Sequence, residues 1–187
     1  MTDGVVCGDT RDPAQLFEAI IRRLRGRHPR DAWIFATEVE TTTGALFDLH
    51  DPAEKLRRID AFAMGLWPSQ NYKRVAYEIK VSRADWLSEL KDPTKRVVAF
   101  LLSNEFWFVL GPGVWEQKDM NRDLFSCGVL VLGDDRLITK WKAKWHPAFP
   151  LPNDFVASLL RRVREQANNG LLAEEHLAGV PALLVEE

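Results

Sequence analysis

Apolar residues recur four apart at Leu16, Ile20 and Leu24, the spacing of one buried helix face. Asp12-Pro13-Ala14-Gln15 stands just ahead of them and supplies an N-cap, a proline at the first helical position and a glutamine at N3. The pattern then changes to period two. Residues 32–39 read as a strand with Trp33, Phe35 and Val39 on one face, and 56–66 as a second. Across the turn Pro68-Ser69-Gln70-Asn71, residues 73–81 form a third, with Val75, Tyr77, Ile79 and Val81 on one face. Residues 41–52 are rich in turn formers and read as a loop. Ser82-Arg83-Ala84-Asp85 opens a helix whose buried side carries Trp86, Leu87 and Leu90, and Asp92-Pro93 restarts one that runs to about residue 103. Residues 105–110 are an apolar strand ended by Gly111-Pro112-Gly113. Residues 127–132 and 136–141 form a hairpin around Gly133-Asp134-Asp135, and a last helix covers about 153–167.

This order predicts one α/β domain over residues 12–167, a mixed central sheet flanked by helices, with a flexible tail at 1–11 and a C-terminal tail at 168–187. Length supports the single domain: 187 residues, 46% hydrophobic and 28% charged, is enough for one sizeable core. A net charge of −2 does not coat the surface in positive charge, yet basic residues cluster. Arg22, Arg23, Arg25, Arg27 and Arg30 end the first helix, and Lys140, Lys142 and Lys144 alternate with Trp141, Ala143 and Trp145. Basic groups beside aromatics suit a groove that tracks a nucleic-acid strand. Other readings stay open: the arginines complement a helix dipole, the lysines guard a sheet edge, and the tryptophans belong to the core. Cys7 and Cys127 are too few for a disulfide framework or a cysteine metal site. No apolar run has the length of a membrane span and no secretory signal opens the chain, so the expected location is cytoplasmic.

The third strand changes the picture. Glu78 and Lys80 are two residues apart, so both point the same way, away from the apolar face and only a few ångströms from each other. Asp60 lies in Arg58-Ile59-Asp60-Ala61-Phe62-Ala63-Met64, a run with apolar neighbours on both faces, where a carboxylate is costly to desolvate unless a positive partner meets it. Arg57 or Arg58 could be that partner; so could a divalent cation shared with Glu78. A hard cation such as Mg²⁺ takes carboxylate and carbonyl oxygens plus waters, for which Asp60, Glu78 and the Ile79 carbonyl are the expected set. Such a cation would neutralise a scissile phosphate and acidify water, while Lys80 orients the attacking water or stabilises developing charge. Glu38, at the end of the first strand, is a further candidate acid, or a surface charge. Glu-x-Lys alone is a weak word, because Glu116-Gln117-Lys118 repeats it in a polar stretch that reads as solvated loop.

The block from Arg57 to Val109 resembles the PD-(D/E)XK nuclease superfamily, and within it the MmcB-like DNA-repair nucleases and related phage and bacterial proteins. The words that carry the resemblance are Arg57-Arg58-Ile59-Asp60-Ala61-Phe62-Ala63-Met64, then Tyr77-Glu78-Ile79-Lys80-Val81-Ser82-Arg83-Ala84-Asp85-Trp86-Leu87, then Asp92-Pro93-Thr94-Lys95 and Ser103-Asn104-Glu105-Phe106-Trp107-Phe108-Val109. The Asp60 word lacks the proline that names the superfamily, and Thr94-Lys95-Arg96 replaces a common Lys-Trp pair. The resemblance implies a restriction-endonuclease-like core, Asp60, Glu78 and Lys80 as the catalytic set, Mg²⁺ or Mn²⁺ as cofactor and DNA as partner. Repair, recombination or a mobile element is the expected setting, and a homodimer is expected where a duplex must be spanned. Ser82, Arg83 and Lys95 are candidate substrate contacts, although Ser82 and Asp85 also read as a helix cap. Two rival readings remain: a nucleic-acid-binding module with this fold that barely cleaves, and an interaction protein using the apolar Leu183-Leu184-Val185.

Overall fold

The computed structural model describes residues 11–41, 57–121, 124 and 126–178. The expected N-terminal tail with Cys7, the loop over 42–52 and Leu183-Leu184-Val185 lie outside the described residues. Helix α1 (Pro13–Gly26) starts as its sequence dictates: Asp12 Oδ1 accepts the Gln15 N–H at 2.9 Å and Gln15 Oε1 accepts the Asp12 N–H at 3.2 Å. This capping box satisfies two of the four N–H groups a helix start leaves open. Leu16, Ile20, Ile21 and Leu24 form its buried stripe.

Six strands follow: β1 (Trp33–Thr41), β2 (Arg57–Gly65), β3 (Arg74–Lys80), β4 (Glu105–Leu110), β5 (Gly128–Leu132) and β6 (Leu137–Trp141). They lie side by side in chain order in one open mixed sheet. β1, β2 and β3 are antiparallel neighbours, β3, β4 and β5 run parallel, and β6 returns antiparallel to β5. A parallel step needs a crossover. Between β3 and β4 it is made by α2 (Arg83–Lys91), a 3₁₀ turn at Pro93–Arg96 and α3 (Val97–Leu102). The single helix expected from Asp92 onward is thus broken in two. Asp92 Oδ1 accepts both the Thr94 N–H and its hydroxyl, which tightens the first turn into 3₁₀ geometry.

The sheet is covered on both faces. α1 packs on one, against Phe35, Ala61, Ala63, Val75, Tyr77, Ile79 and Val109. α2, α3 and the final helix α4 (Asn153–Ala178) supply Trp86, Val98, Leu102, Phe155 and Leu159 to the other, where Phe155 meets Phe62 edge-on at 5.2 Å. The expectation that the last helix stops near residue 167 is corrected. Asn168-Asn169-Gly170 reads as a stop, but Leu, Ala and Glu beyond it are strong helix formers and α4 continues through them to Ala178. α4 also closes the β1 edge: its Gln166 amide meets Thr37 Oγ1 at 2.7 Å and, with the amide turned to satisfy every partner, the backbone of Phe35 and Thr37. At the opposite edge, Trp141 and Trp145 are 39% and 57% exposed, so they are not core residues. β6 ends at Trp141, so the alternation of Lys142 and Lys144 is not carried on a strand. No helix among the described residues is long and apolar enough to cross a membrane.

Candidate active site

On β3, alternation places Val75, Tyr77 and Ile79 in the α1-side core and Ala76 in the other. Glu78 and Lys80 therefore follow Ala76 onto the α2 side. The β2–β3 ladder is last formed at Ala61↔Tyr77. One step further, the same register sets Asp60 across from Glu78, but the strands no longer exchange a backbone bond there. The Ile79 N–H is instead taken by Asp60 Oδ2 at 2.7 Å. Because the N–H and C=O of one strand residue point to the same edge, the Ile79 carbonyl faces this opening as well. Two carboxylates and a carbonyl thus converge where two neighbouring strands part.

Neither arginine beside Asp60 serves as its ion-pair partner. Arg57 donates to the Thr94 carbonyl at 3.2 Å, and Arg58 pairs with Glu38 at 3.2 Å. Burial pushes the Asp60 carboxyl above the usual carboxylate range, against the opposing pull of the Ile79 N–H and then Lys80. Glu78 is pushed up to about 7, first by burial and then by the charge of Asp60. Lys80 Nζ lies 2.6 Å from Glu78 Oε1 and 3.5 Å from Glu89 Oε2. Burial alone would lower the Lys80 pKa, but Glu78, Glu89 and Asp60 outweigh it and hold the amine protonated.

Glu89 is a site residue that reading the sequence missed. It sits on α2, three residues after the buried Trp86, and is only 5% exposed. Arg96 Nη1 donates to the Glu89 carbonyl at 3.2 Å and approaches Oε1 at 3.9 Å, with its guanidinium over the Phe108 ring. Glu89 Oε1 has no hydrogen-bond partner among the described residues. The available signal was an acid at the i+3 position of a buried tryptophan on a helix packed beside the Glu78 strand.

A cleft of about 210 Å³ opens beside Lys80 and Glu89, lined also by Ile79, Asp85 and Lys95 among others. The exposed Lys95 thereby borders the site. Ser82 is occupied with the start of α2: its Oγ accepts the Asp85 N–H at 3.1 Å and donates to Asp85 Oδ2 at 2.7 Å. Arg83 turns to the β4–β5 crossover. Its guanidinium holds the fully buried Asp119 through both amino groups, donates to the Val114 carbonyl at 2.7 Å and pairs with Glu116 at 3.2 Å. That makes Arg83 a staple between α2 and the crossover, its donors already engaged by protein. The second Glu-x-Lys word is likewise local: the exposed Lys118 pairs with the half-buried Glu116. Glu38 stands across from Asp60 on β1 with φ 54°, a backbone conformation uncommon outside glycine. Its carboxylate is committed to Arg58 and Arg162 rather than to the Asp60–Glu78 pair.

Among the described residues, no three His, Cys, Asp or Glu side chains converge as metal ligands. Mg²⁺ needs no such set, since it is held by one or two carboxylates and keeps several waters. Asp60, Glu78 and the Ile79 carbonyl fit it. Burial raises both of these half-buried acids and the charge of Asp60 raises Glu78 further, a cost that a cation held between them would relieve.

No protein-family model and no curated protein matches the sequence. Among solved structures, the chain is similar to SPO1766, a protein of unknown function from Silicibacter pomeroyi. The two share 16% identity over 94% of this chain and 100% of that one, with a TM-score of 0.52. At that identity the similarity shows the fold alone.

Proposed function

We propose that this chain is a divalent-cation-dependent deoxyribonuclease of the PD-(D/E)XK kind. The observation that carries the reading is the juxtaposition of Asp60 and Glu78 at the parting of β2 and β3, with the Lys80 ammonium 2.6 Å from Glu78. Asp60, Glu78 and the Ile79 carbonyl would hold Mg²⁺ or Mn²⁺. When bound, the cation supplies charge neutralisation for a phosphodiester and the acidity that water needs to attack it.

The remaining chemistry belongs to the chain. Lys80 stays an ammonium, so it donates to a phosphate oxygen or orients water and does not abstract a proton. Glu89 and Glu78 hold that ammonium between two carboxylates, which limits the positions Nζ can take. Lys95 at the rim of the cleft suits a backbone phosphate, which positions DNA without reading its sequence.

Calorimetric titration with Mn²⁺, combined with cleavage of labelled DNA, tests the reading. One cation site that disappears in Glu78→Gln, together with cleavage abolished by EDTA, is the expected result. A protein that binds DNA but neither takes up the cation nor cuts is the nucleic-acid-binding module instead.

A further inference from the structure

The clefts flanking the β1 edge are larger than the one over Glu89. One, of about 410 Å³, is lined by Arg25, His28, Arg30, Trp33 and Gln166 among others. A second, of about 670 Å³, is lined by Phe17, Arg25, Arg30, Thr37, Glu38 and Gln166 among others. They share Arg25, Arg30 and Gln166, and so form one groove between α1 and α4. It follows β1 from Trp33 to Glu38, a run of roughly 17 Å at strand spacing. Its upper end is the residue across from Asp60, one strand away from the candidate active site.

The charges in this groove are unusual. Arg25 and Arg30 form no ion pair among the described residues, and Arg30 disfavours the charge on Arg25. Burial first and Arg30 second lower the Arg25 pKa. A helix dipole explains a basic residue in the last turn of α1, but it does not explain a second arginine set against it. Two acids line the groove: Glu38 is already paired with Arg58 and Arg162, and the exposed Glu18 favours the Arg25 charge without forming an ion pair with it, so among the described residues two unpaired arginines face one unpaired carboxylate. Burial holds His28 neutral, so it adds no charge. Trp33 gives the groove a half-buried aromatic ring, while Phe35 beside it is buried and covered by the Arg25 guanidinium at 5.2 Å. Unpaired guanidinium groups beside a partly accessible aromatic ring match a sugar–phosphate chain with a stacked base. Volumes of a few hundred cubic ångströms match a few nucleotides of one strand, not a duplex.

We propose that a single strand of DNA lies along the β1 edge with its phosphates on Arg25 and Arg30 and leads over Glu38 toward the Asp60–Glu78 pair. The proposal deepens the nuclease reading and rests on it for the direction of the strand, but the groove itself can be tested without cleavage. The experiment is fluorescence anisotropy of labelled oligothymidylate and of a duplex of equal length. It is run in EDTA across a salt series with the full chain. The variants are Arg25→Ala/Arg30→Ala, the exposed Arg30→Glu, and Arg22→Ala as a control on the same helix outside the groove. Circular dichroism confirms that each is folded.

Wild type should prefer the single strand. The double variant should bind it about tenfold or more weakly, the weight of a charge-assisted hydrogen bond. Its salt slope should fall by about 1.4, at ~0.7 for each of two lost phosphate contacts. Arg30→Glu should weaken binding and Arg22→Ala should not. Unchanged affinity and slope in the groove variants, an equal loss in Arg22→Ala, or equal binding of the duplex would overturn the proposal. Binding that depends on Arg25 and Arg30 without any cleavage would leave the groove standing and sink the nuclease reading alone. Cleavage indifferent to the groove variants would do the reverse.

Discussion

Asp60 Oδ2 accepts the Ile79 N–H at 2.7 Å, in the place where a β2 backbone carbonyl would continue the ladder. One side chain therefore ends strand pairing, satisfies a backbone donor and presents a carboxylate to Glu78. These roles separate by substitution. Asp60→Asn keeps an acceptor for the N–H and removes the charge. Asp60→Ala leaves that N–H without a partner, at about 1–3 kcal/mol. Thermal denaturation should show Asn close to wild type and Ala clearly destabilised, while both lose cation binding. Equal stability of the two variants would mean that the hydrogen bond does not hold the strands here.

Glu89 should act through Lys80. Glu89→Gln preserves volume and removes one of the two carboxylates that hold Nζ. Cleavage should show kcat reduced with little change in KM. The acid limb of the pH–rate profile should also move to lower pH, because Glu89 is one of the charges that raises Glu78. A change in KM alone would assign Glu89 to DNA binding.

How much of this was legible in the sequence depended on how local each signal is. The α1 capping box and the shared face of Glu78 and Lys80 follow from neighbours within three residues, and both stand as read. Asp60 was legible because an acid between apolar neighbours is costly wherever the strand lies. Glu89 was not, since an acid on a helix is ordinarily solvated and only the docking of α2 beside β3 buries it. The engagement of Arg83 was hidden for the same reason: Asp119 lies 36 residues away, and nothing near Arg83 names it. Trp141 and Trp145 alternate like buried positions, but at a sheet edge the alternation has no second layer to fill.

Arg83 should matter for stability rather than for DNA. Removing it leaves Asp119 as a buried charge without its main partner, a loss of about 3–5 kcal/mol. Arg83→Lys should rescue little, because an ammonium cannot match the two-pronged guanidinium. Arg83→Ala/Asp119→Ala should recover part of the loss in chemical denaturation. A stable Arg83→Ala protein with weakened DNA affinity would return Arg83 to the substrate.

His28 makes folding sensitive to acid. Its Nε2 lies 2.8 Å from the Tyr77 hydroxyl, and burial, then Arg27 and Lys73, lower its pKa from 6.5 to about 4. The unfolded chain therefore binds the His28 proton first. Stability from this group is complete above about pH 6.5 and is lost as pH falls toward 4, by about 1.4 kcal/mol per unit at most. Denaturation of wild type and His28→Gln across that window should show the wild type losing more stability with acid. Parallel curves would mean that His28 protonates without cost in the folded state.

The central claim is that Asp60, Glu78 and Lys80 form a working phosphodiesterase centre. It is tested most directly by incubating wild type and Lys80→Ala with labelled single-stranded, duplex and branched DNA in Mg²⁺ or Mn²⁺. The account predicts cleavage of at least one substrate by wild type, its loss in EDTA, and a rate lower by about 10²–10³ in Lys80→Ala, the usual cost of removing a group that stabilises developing charge. No cleavage of any substrate with either cation, or cleavage by Lys80→Ala at the wild-type rate, would contradict it.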